Sequence, residues 1–136
     1  HVVEYIAKRT SNKVKLTTRM PSQPLVVNVC APLFEWVIEN LCKNSIDSME
    51  GKGLIELVAK EEEDVFSVEV TDTGKGIPKN RMRTVFKAGY TTKARGWGLG
   101  LALCKRIVEE YHHGSIFVKK SELGRGTTFR IELKKR

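Results

Sequence analysis

Apolar residues along the chain switch between a spacing of two and a spacing of three and four, and these switches divide it into elements. Val2, Val3, Ile6 and Ala7 recur at helical spacing within residues 1–12. Lys13–Thr18 and Leu25–Val29 alternate as short strands do, separated by the turn-like Met20-Pro21-Ser22. Pro32 stands where a helix begins, Ala31–Met49 carries one long helical pattern, and Gly51 closes it. Strands are predicted at Leu54–Ala59 and Val65–Val70, flanking an acidic tip, Glu61-Glu62-Glu63-Asp64, that reads as a solvated hairpin end. From Asp72 to Trp97 the periodicity fails, and a patternless stretch of that length inside a compact domain usually marks a functional loop. Gly98–His112 is predicted as a second helix with Leu101, Leu103, Ile107 and Val108 on its apolar side. Ser115–Lys119 and Thr127–Leu133 close the chain as a hairpin around Gly124 and Gly126. The order predicts an α/β fold, a two-layer sandwich in which helices cover one face of a mixed β-sheet.

Composition narrows the class. A chain of 136 residues suits one domain with a real core, and 40% hydrophobic with 29% charged residues excludes disorder. No apolar run approaches the roughly 18 to 20 residues that span a bilayer, and no signal-peptide pattern opens the chain. Cys30, Cys42 and Cys104 form no C-x-x-C pair, so they read as reduced, mostly buried thiols and not as a disulfide frame or zinc site. The formal charge of +8 is spread along the chain, with one loose cluster at Lys134-Lys135-Arg136, and nucleic acid is not expected as a partner.

Three segments carry candidate chemistry. On the first helix Asn40, Asn44 and Asp47 fall at spacings of four and three and share one stripe. Amide oxygens are neutral hard ligands suited to Mg²⁺, which keeps several waters and shares nucleotide phosphates. Two asparagines alone fit a solvated face better than a ligand set, although asparagine is a poor helix former and two in mid-helix need a reason. Val70-Thr71-Asp72-Thr73-Gly74-Lys75-Gly76-Ile77-Pro78 is a strand running into a glycine turn. A carboxylate at a strand end can accept from the exocyclic amine of adenine, and glycines let the backbone pass close to a flat base. Alone, this pattern is also a common turn. Finally, Gly96, Gly98 and Gly100 alternate directly before the second helix, where bare N–H groups and a helix N-terminus suit phosphate. They do not form a dinucleotide fingerprint, because the third glycine of G-x-G-x-x-G would fall on Leu103. No G-x-x-x-x-G-K-[ST] loop occurs, which excludes a P-loop enzyme.

In this order the segments resemble the asparagine box and the first two glycine boxes of the sensor histidine-kinase catalytic domain. Phe86, within Met82-Arg83-Thr84-Val85-Phe86, resembles the phenylalanine box, and Gly124-Arg125-Gly126-Thr127-Thr128-Phe129 resembles the final glycine box. The resemblance runs from about Leu25 to Leu133. It implies the Bergerat ATP-binding fold, shared with DNA gyrase, a heat-shock chaperone and a mismatch-repair ATPase, with ATP and Mg²⁺ as ligands. It implies Asn44 as the Mg²⁺ ligand, with Asn40 and Asp47 beside it, and Asp72 as the adenine reader in a pocket shaped by Gly74, Gly76 and Ile77. Thr91, Thr92, Lys93 and Arg95 would belong to a mobile lid, Lys93 and Arg95 as phosphate clamps, and Lys93 would act with Asn40 and Asn44 in catalysis. Gly96, Trp97, Gly98, Leu99, Gly100 and Leu101 would receive the phosphates, and Thr127 would complete the site.

Departures from the family pattern are also legible. Asp47 and Ser48 stand where many histidine kinases carry a Lys-Tyr pair, as in an Ala-x-Asp-Ala variant of the family, and Trp97 takes a position often held by a small residue. Hydrolytic relatives such as gyrase place a general-base glutamate four residues before the metal asparagine; here that residue is Asn40, and Glu39 is turned about 100° away. His112 and His113 diverge by the same angle, which argues against a shared metal. No acceptor-bearing helical hairpin is present, so residues 1–12 are expected to end a connection from a dimerisation domain and residues 13–136 to form the catalytic domain. The expected partners are that phosphoacceptor domain of the same kinase and a response regulator. The full-length protein is expected to be a homodimer and this fragment a monomer, in the cytoplasm, with a membrane anchor of the parent left open.

Overall fold

A computed structural model describes residues 14–19, 30–87 and 100–134. The elements in chain order are β1 (Val14–Arg19), α1 (Ala31–Ser48), β2 (Gly53–Glu61), β3 (Val65–Asp72), 3-10 turns at Lys79–Arg81 and Thr84–Phe86, α2 (Gly100–Arg106) running into a π-helical turn (Ile107–Tyr111), β4 (Ser115–Glu122) and β5 (Gly126–Lys134). The expected helical spacing in residues 1–12 and the strand Leu25–Val29 lie outside the described residues.

The five strands form one sheet in the order β1-β2-β3-β5-β4. β1 pairs in parallel with β2, and every other pair is antiparallel. A parallel pair needs a crossover, and α1 lies in the connection between β1 and β2. The strand period of two sends Ile55, Leu57, Val70, Ile116, Phe129 and Ile131 to one face, where they are buried with Val37, Ile38 and Leu41 of α1 and with Cys104 and Val108. Each such aliphatic side chain contributes about 1.5–3 kcal/mol relative to exposure. The mixed sheet with its helical layer is the expected architecture.

Boundaries moved where hydrogen bonds, not apolar period, decide them. β3 runs two residues further than its apolar pattern, so Asp72 is its last residue, paired opposite Ile55. Glu50 and Gly51 adopt φ of 56° and 79°, and Gly51 N–H caps the Ile46 carbonyl at 3.0 Å, which ends α1. The expected helix Gly98–His112 is described from Gly100 and widens at Ile107, because its last turn is closed from outside. Cys30 N–H donates to His112 Nε2 (2.9 Å), His112 Nδ1–H donates to the Ile107 carbonyl (2.9 Å), and Gly114 N–H donates to the Val108 carbonyl (2.9 Å). His112 therefore fastens the start of α1 to the end of the second helix, using both ring nitrogens. Leu103, expected on the apolar side, is 41% exposed, because it stands about 130° off the line of Leu101, Cys104 and Val108. Cys42 and Cys104 are buried, which pushes their thiols up to about 12, whereas Cys30 is exposed.

The acidic tip is not simply solvated. Arg130, on the sheet face away from the helices, donates to Glu62 (2.6 Å), Glu69 (2.7 Å) and Glu132 (2.7 Å), and Lys119 reaches Glu69 at 2.8 Å. Glu62 is thus drawn out of the hairpin end onto the sheet. Glu69 and Arg130 are cross-strand partners, which sets the centre of the cluster. Burial pushes the Glu69 pKa up, but hydrogen bonds from Lys119 and Arg130 outweigh it and hold the carboxyl below its ordinary value. On the outer strand among the described residues, the pairing of β4 with β5 slips by one residue between Val118 and Lys120.

Arg130→Met should destabilise the fold by about 2 kcal/mol at neutral pH, measured by urea unfolding. Because the Glu69 pKa is lowered in the folded state, its stabilising contribution is complete above the ordinary glutamate value of about 4.3 and is lost as pH falls through the folded value. The variant should therefore lose less stability on acidification than the wild type. Equal stability of the two at pH 7 would contradict the role given to Arg130.

Candidate functional site

Asp72 ends β3 with its side chain on the helix-facing side, 4% exposed. A carboxylate cannot be buried cheaply without donors. Gly74 N–H (2.9 Å) and Thr127 N–H (3.3 Å) both donate to Oδ1, the first closing a local turn of the kind aspartate favours. Burial raises the Asp72 pKa above its ordinary value, opposed by the Gly74 amide, the neighbouring Ser45 hydroxyl and the Thr127 amide. Ser45 Oγ is close enough for that effect. It nevertheless makes no hydrogen bond that satisfies both distance and angle, and it is the one buried side-chain oxygen or nitrogen without such a partner among the described residues.

The turn after Asp72 is clamped from two sides. Lys75 N–H donates to Ser48 Oγ (3.1 Å) and the Ser48 carbonyl (3.2 Å) at the end of α1. On the other side Gly124 N–H donates to the Lys75 carbonyl (2.9 Å), and Ile77 N–H donates to Ser121 Oγ (2.7 Å). Ser121 Oγ also meets Thr127 Oγ1 at 2.7 Å and lies 3.1 Å from the Gly126 carbonyl. These bonds explain the glycines differently from the sequence reading. A Cβ on Gly74 would lie 2.8 Å from Ser48 Cβ and 2.9 Å from its carbonyl carbon. Gly76, at φ +81°, would press a Cβ to 2.7 Å from the Glu122 carbonyl carbon, and Gly126 would meet the Asp72 carbonyl carbon at 2.9 Å. Close packing of backbone on backbone requires these three glycines, before any ligand is considered.

Asn40 and Asn44 are half-buried on α1 and Asp47 is exposed, so the predicted stripe exists. Asn40 Nδ2 donates to the Trp36 carbonyl at 3.0 Å, which fixes the amide. Its Oδ1 lies 3.2 Å from where a Gly100 Cβ would stand, so the first residue of α2 meets this stripe closely and a side chain there would press on the Asn40 amide. Glu39 pairs with Lys43 at 3.1 Å along the helix surface.

Phe86 is 7% exposed and packs edge-to-face on Phe129, with ring centres 6.0 Å apart, while Lys105 Nζ lies 6.0 Å from its centre. Phe86 belongs to the core. Ile77 and Leu101 are half-buried against the same core. Thr91, Thr92, Lys93, Arg95, Gly96, Trp97, Gly98 and Leu99 lie outside the described residues. Sequence reading passed over Ser45 and Ser121 and gave Ser48 no contact. Small hydroxyl residues carry no periodic signal, and only their placement around Asp72 gives them a role.

The donor chemistry fits an adenine nucleotide. Asp72 Oδ2 takes neither backbone donor, and a buried hydroxyl without a partner stands next to it. Comparison with known proteins points the same way. Residues 31–136 match the family described as histidine kinase-, DNA gyrase B-, and HSP90-like ATPase. The sensor histidine kinase ZraS of Escherichia coli (strain K12) is 41% identical over 97 residues, which are 71% of this chain and 20% of ZraS. Sporulation kinase D of Bacillus subtilis (strain 168) is 39% identical over 116 residues, 84% of this chain and 22% of that protein. The chain thus spans about a fifth of the length of these curated relatives. Among solved structures, the catalytic domain of histidine kinase ThkA aligns with a TM-score of 0.81 at 27% identity, covering 98% of this chain and 86% of that one. ThkA in complex with the response regulator protein TrrA aligns at 0.78 and 25% identity, over 98% and 37% of the two chains.

Gly74→Ala should destabilise the fold by about 1–3 kcal/mol through overpacking against α1, read as a lowered melting temperature. Adding Ser48→Gly should recover only part of the loss, because the Ser48 backbone carbon remains. Full recovery, or no loss in the single variant, would show that the close approach is not what requires glycine.

Proposed function

The chain belongs to the histidine kinase-, DNA gyrase B-, and HSP90-like ATPase family, and on that premise we propose that it is the ATP-binding catalytic domain of a two-component sensor histidine kinase. The observation that carries this reading is Asp72. Its carboxylate is buried at the strand end and held through one oxygen by two backbone amides, so that its second oxygen takes neither of them.

In this reading Asp72 accepts a hydrogen bond from the adenine amine, within the turn held by Gly74, Gly76 and Ile77. Asn44 presents its amide oxygen to Mg²⁺, with Asn40 and Asp47 on the same stripe. Mg²⁺, when bound, neutralises charge that develops on the phosphates. Gly96, Gly98 and Gly100 give their amides to the phosphates, Thr91, Thr92, Trp97, Leu99 and Leu101 line the approach, and Lys93 and Arg95 clamp the γ-phosphate. Phe86 and Thr127 act as supports, from the core and from β5. A histidine on the dimerisation domain of the same kinase then attacks the γ-phosphorus in line, the bond to the β-phosphate oxygen breaks, and ADP leaves. The phosphoryl group passes to an aspartate of a response regulator, in keeping with the ThkA–TrrA pairing.

Residues 1–12 would end the connection from the dimerisation domain and residues 13–136 form the catalytic unit, monomeric alone and working in a cytoplasmic homodimer. No helix among the described residues is long and apolar enough to cross a membrane. A gyrase-type hydrolase is disfavoured by two residues. The general-base position holds Asn40, tied to Trp36, and the nearest carboxylate, Glu39, is engaged by Lys43.

Asp72→Asn should weaken ATP binding by about 2 kcal/mol and reduce the preference for ATP over GTP, measured by titration calorimetry. Equal affinity of the wild type for the two nucleotides would reject the adenine assignment. With γ-labelled ATP, the chain alone should take up no stable label and turn over very slowly, since it carries neither acceptor nor base. Adding the dimerisation domain of the parent kinase should give acid-labile, alkali-stable label. Acid-stable label on the chain alone would indicate a serine kinase, and rapid turnover without a partner a hydrolase.

A further inference from the structure

The positive charge, expected to be spread along the chain, has one main source. Of 24 Lys and Arg and 16 Asp and Glu, residues 73–108 hold nine of the first kind and none of the second, so the rest of the chain is close to neutral. Lys93 and Arg95 of this stretch have a use in the proposed phosphate site. Lys79, Arg83 and Lys105 do not: they are exposed, and none has an ion pair among the described residues. Arg106, next to Lys105, turns to Glu110 instead (3.6 Å). The three cations line one groove of about 630 Å³ between the 3-10 turns, α2 and the start of β4. Its apolar lining comes from Phe86 and Ile116, both buried, and from half-buried Val118. Lys105 Nζ stands 6.0 Å from the Phe86 ring centre, so charge and apolar surface adjoin. No residue of the groove belongs to the Asp72 turn or to the Asn40–Asn44–Asp47 stripe.

Like charges held together repel, and a carboxylate of the chain could have relieved them, as Glu69 does for Lys119 and Arg130. Cations without an internal partner, set beside apolar surface, complement an anionic partner that also carries apolar side chains. Two features select a polypeptide over a nucleic acid. Phe86 is 7% exposed and offers no face for a base to stack on, and Phe117 alternates with buried Ile116 onto the sheet face of its Cα partner Arg130. The register shift between Val118 and Lys120 also interrupts the ladder at the end of the groove, so the occupant docks through side chains and not as an added strand.

We propose that this groove docks an acidic segment of a partner protein, its carboxylates accepting from Lys79, Arg83 and Lys105 while a leucine or phenylalanine side chain packs on Phe86, Ile116 and Val118. Arg83 suits a carboxylate through two parallel N–H donors. The site stands apart from the nucleotide reading, and the failure of either leaves the other intact.

The test is fluorescence anisotropy of this chain with a fluorescein-labelled peptide in which leucine and phenylalanine sit among glutamates. The peptide should bind, more weakly as salt rises, and ADP should not displace it. A peptide of glutamates alone should bind about tenfold more weakly, because the apolar contact is lost. Arg83→Glu with Lys105→Glu should weaken binding about tenfold or more. Arg83→Gln with Lys105→Gln, which removes charge without reversing it, should give a smaller loss in the same direction. Lys15→Glu with Lys60→Glu, an equal change of net charge placed on β1 and β2, should bind as the wild type does. No binding by the wild type, equal losses in the two glutamate double variants, or equal affinity for the two peptides would overturn the proposal. Displacement by ADP, or tighter binding of an oligothymidylate, would overturn it as well.

Discussion

Burying one carboxylate at the end of a strand is the constraint around which this fold is arranged. Asp72 has to leave solvent and still find donors, and the chain supplies them from two distant segments. One amide comes from its own turn at Gly74 and the other from Thr127 on the adjacent strand. For both to reach one oxygen, β3 and β5 must be neighbours and the glycine turn must fold back under α1. The close approaches at Gly74, Gly76 and Gly126 follow from that geometry, as do the bonds from Lys75 to Ser48 and from Ile77 to Ser121. Tolerance for a side chain disappears where backbone meets backbone.

The two faces of the sheet divide the work. Toward the helices the strands bury aliphatic residues and, at one end only, Asp72 with Ser45 above it. Away from the helices Arg130 gathers Glu62, Glu69 and Glu132, with Lys119 on the rim. Such a cluster ties three strands and the β2–β3 turn together without apolar area. It also satisfies in situ charges that would otherwise stand as like-sign neighbours. The polar face thereby contributes stiffness to the sheet whose opposite side carries the site.

Much of this architecture was legible in sequence, and the residues that escaped show where legibility ends. Periodicity located α1, because Val37, Ile38, Leu41 and the Asn40–Asn44–Asp47 stripe obey one helical repeat. It located the strands to within a few residues but stopped β3 at Val70, since Asp72 is polar and yet paired. Arg130 and Glu62 looked like ordinary surface charges, and only the register that sets Glu69 opposite Arg130 brings them together. The glycine motifs pointed to the right turn for an incomplete reason, because Ser48 and Glu122, distant in sequence, fill the space that a side chain would take. Phe86 stood in a recognisable motif, but its contact with Phe129 belongs to packing. A helix widened at Ile107 by a histidine bond has no signature in apolar spacing.

The slipped register in β4 bears on how the outer strand meets another chain. β4 is the outer strand, and among the described residues it pairs only with β5. An open strand edge is a template for a second chain, and a flat one beside the exposed Phe117 would be an adhesive one. The irregularity between Val118 and Lys120 interrupts the even ladder that a visiting strand would need, and Lys119 turns from that point across the sheet face to Glu69. A second strand laid against this edge would therefore find no even row of partners with which to extend the sheet.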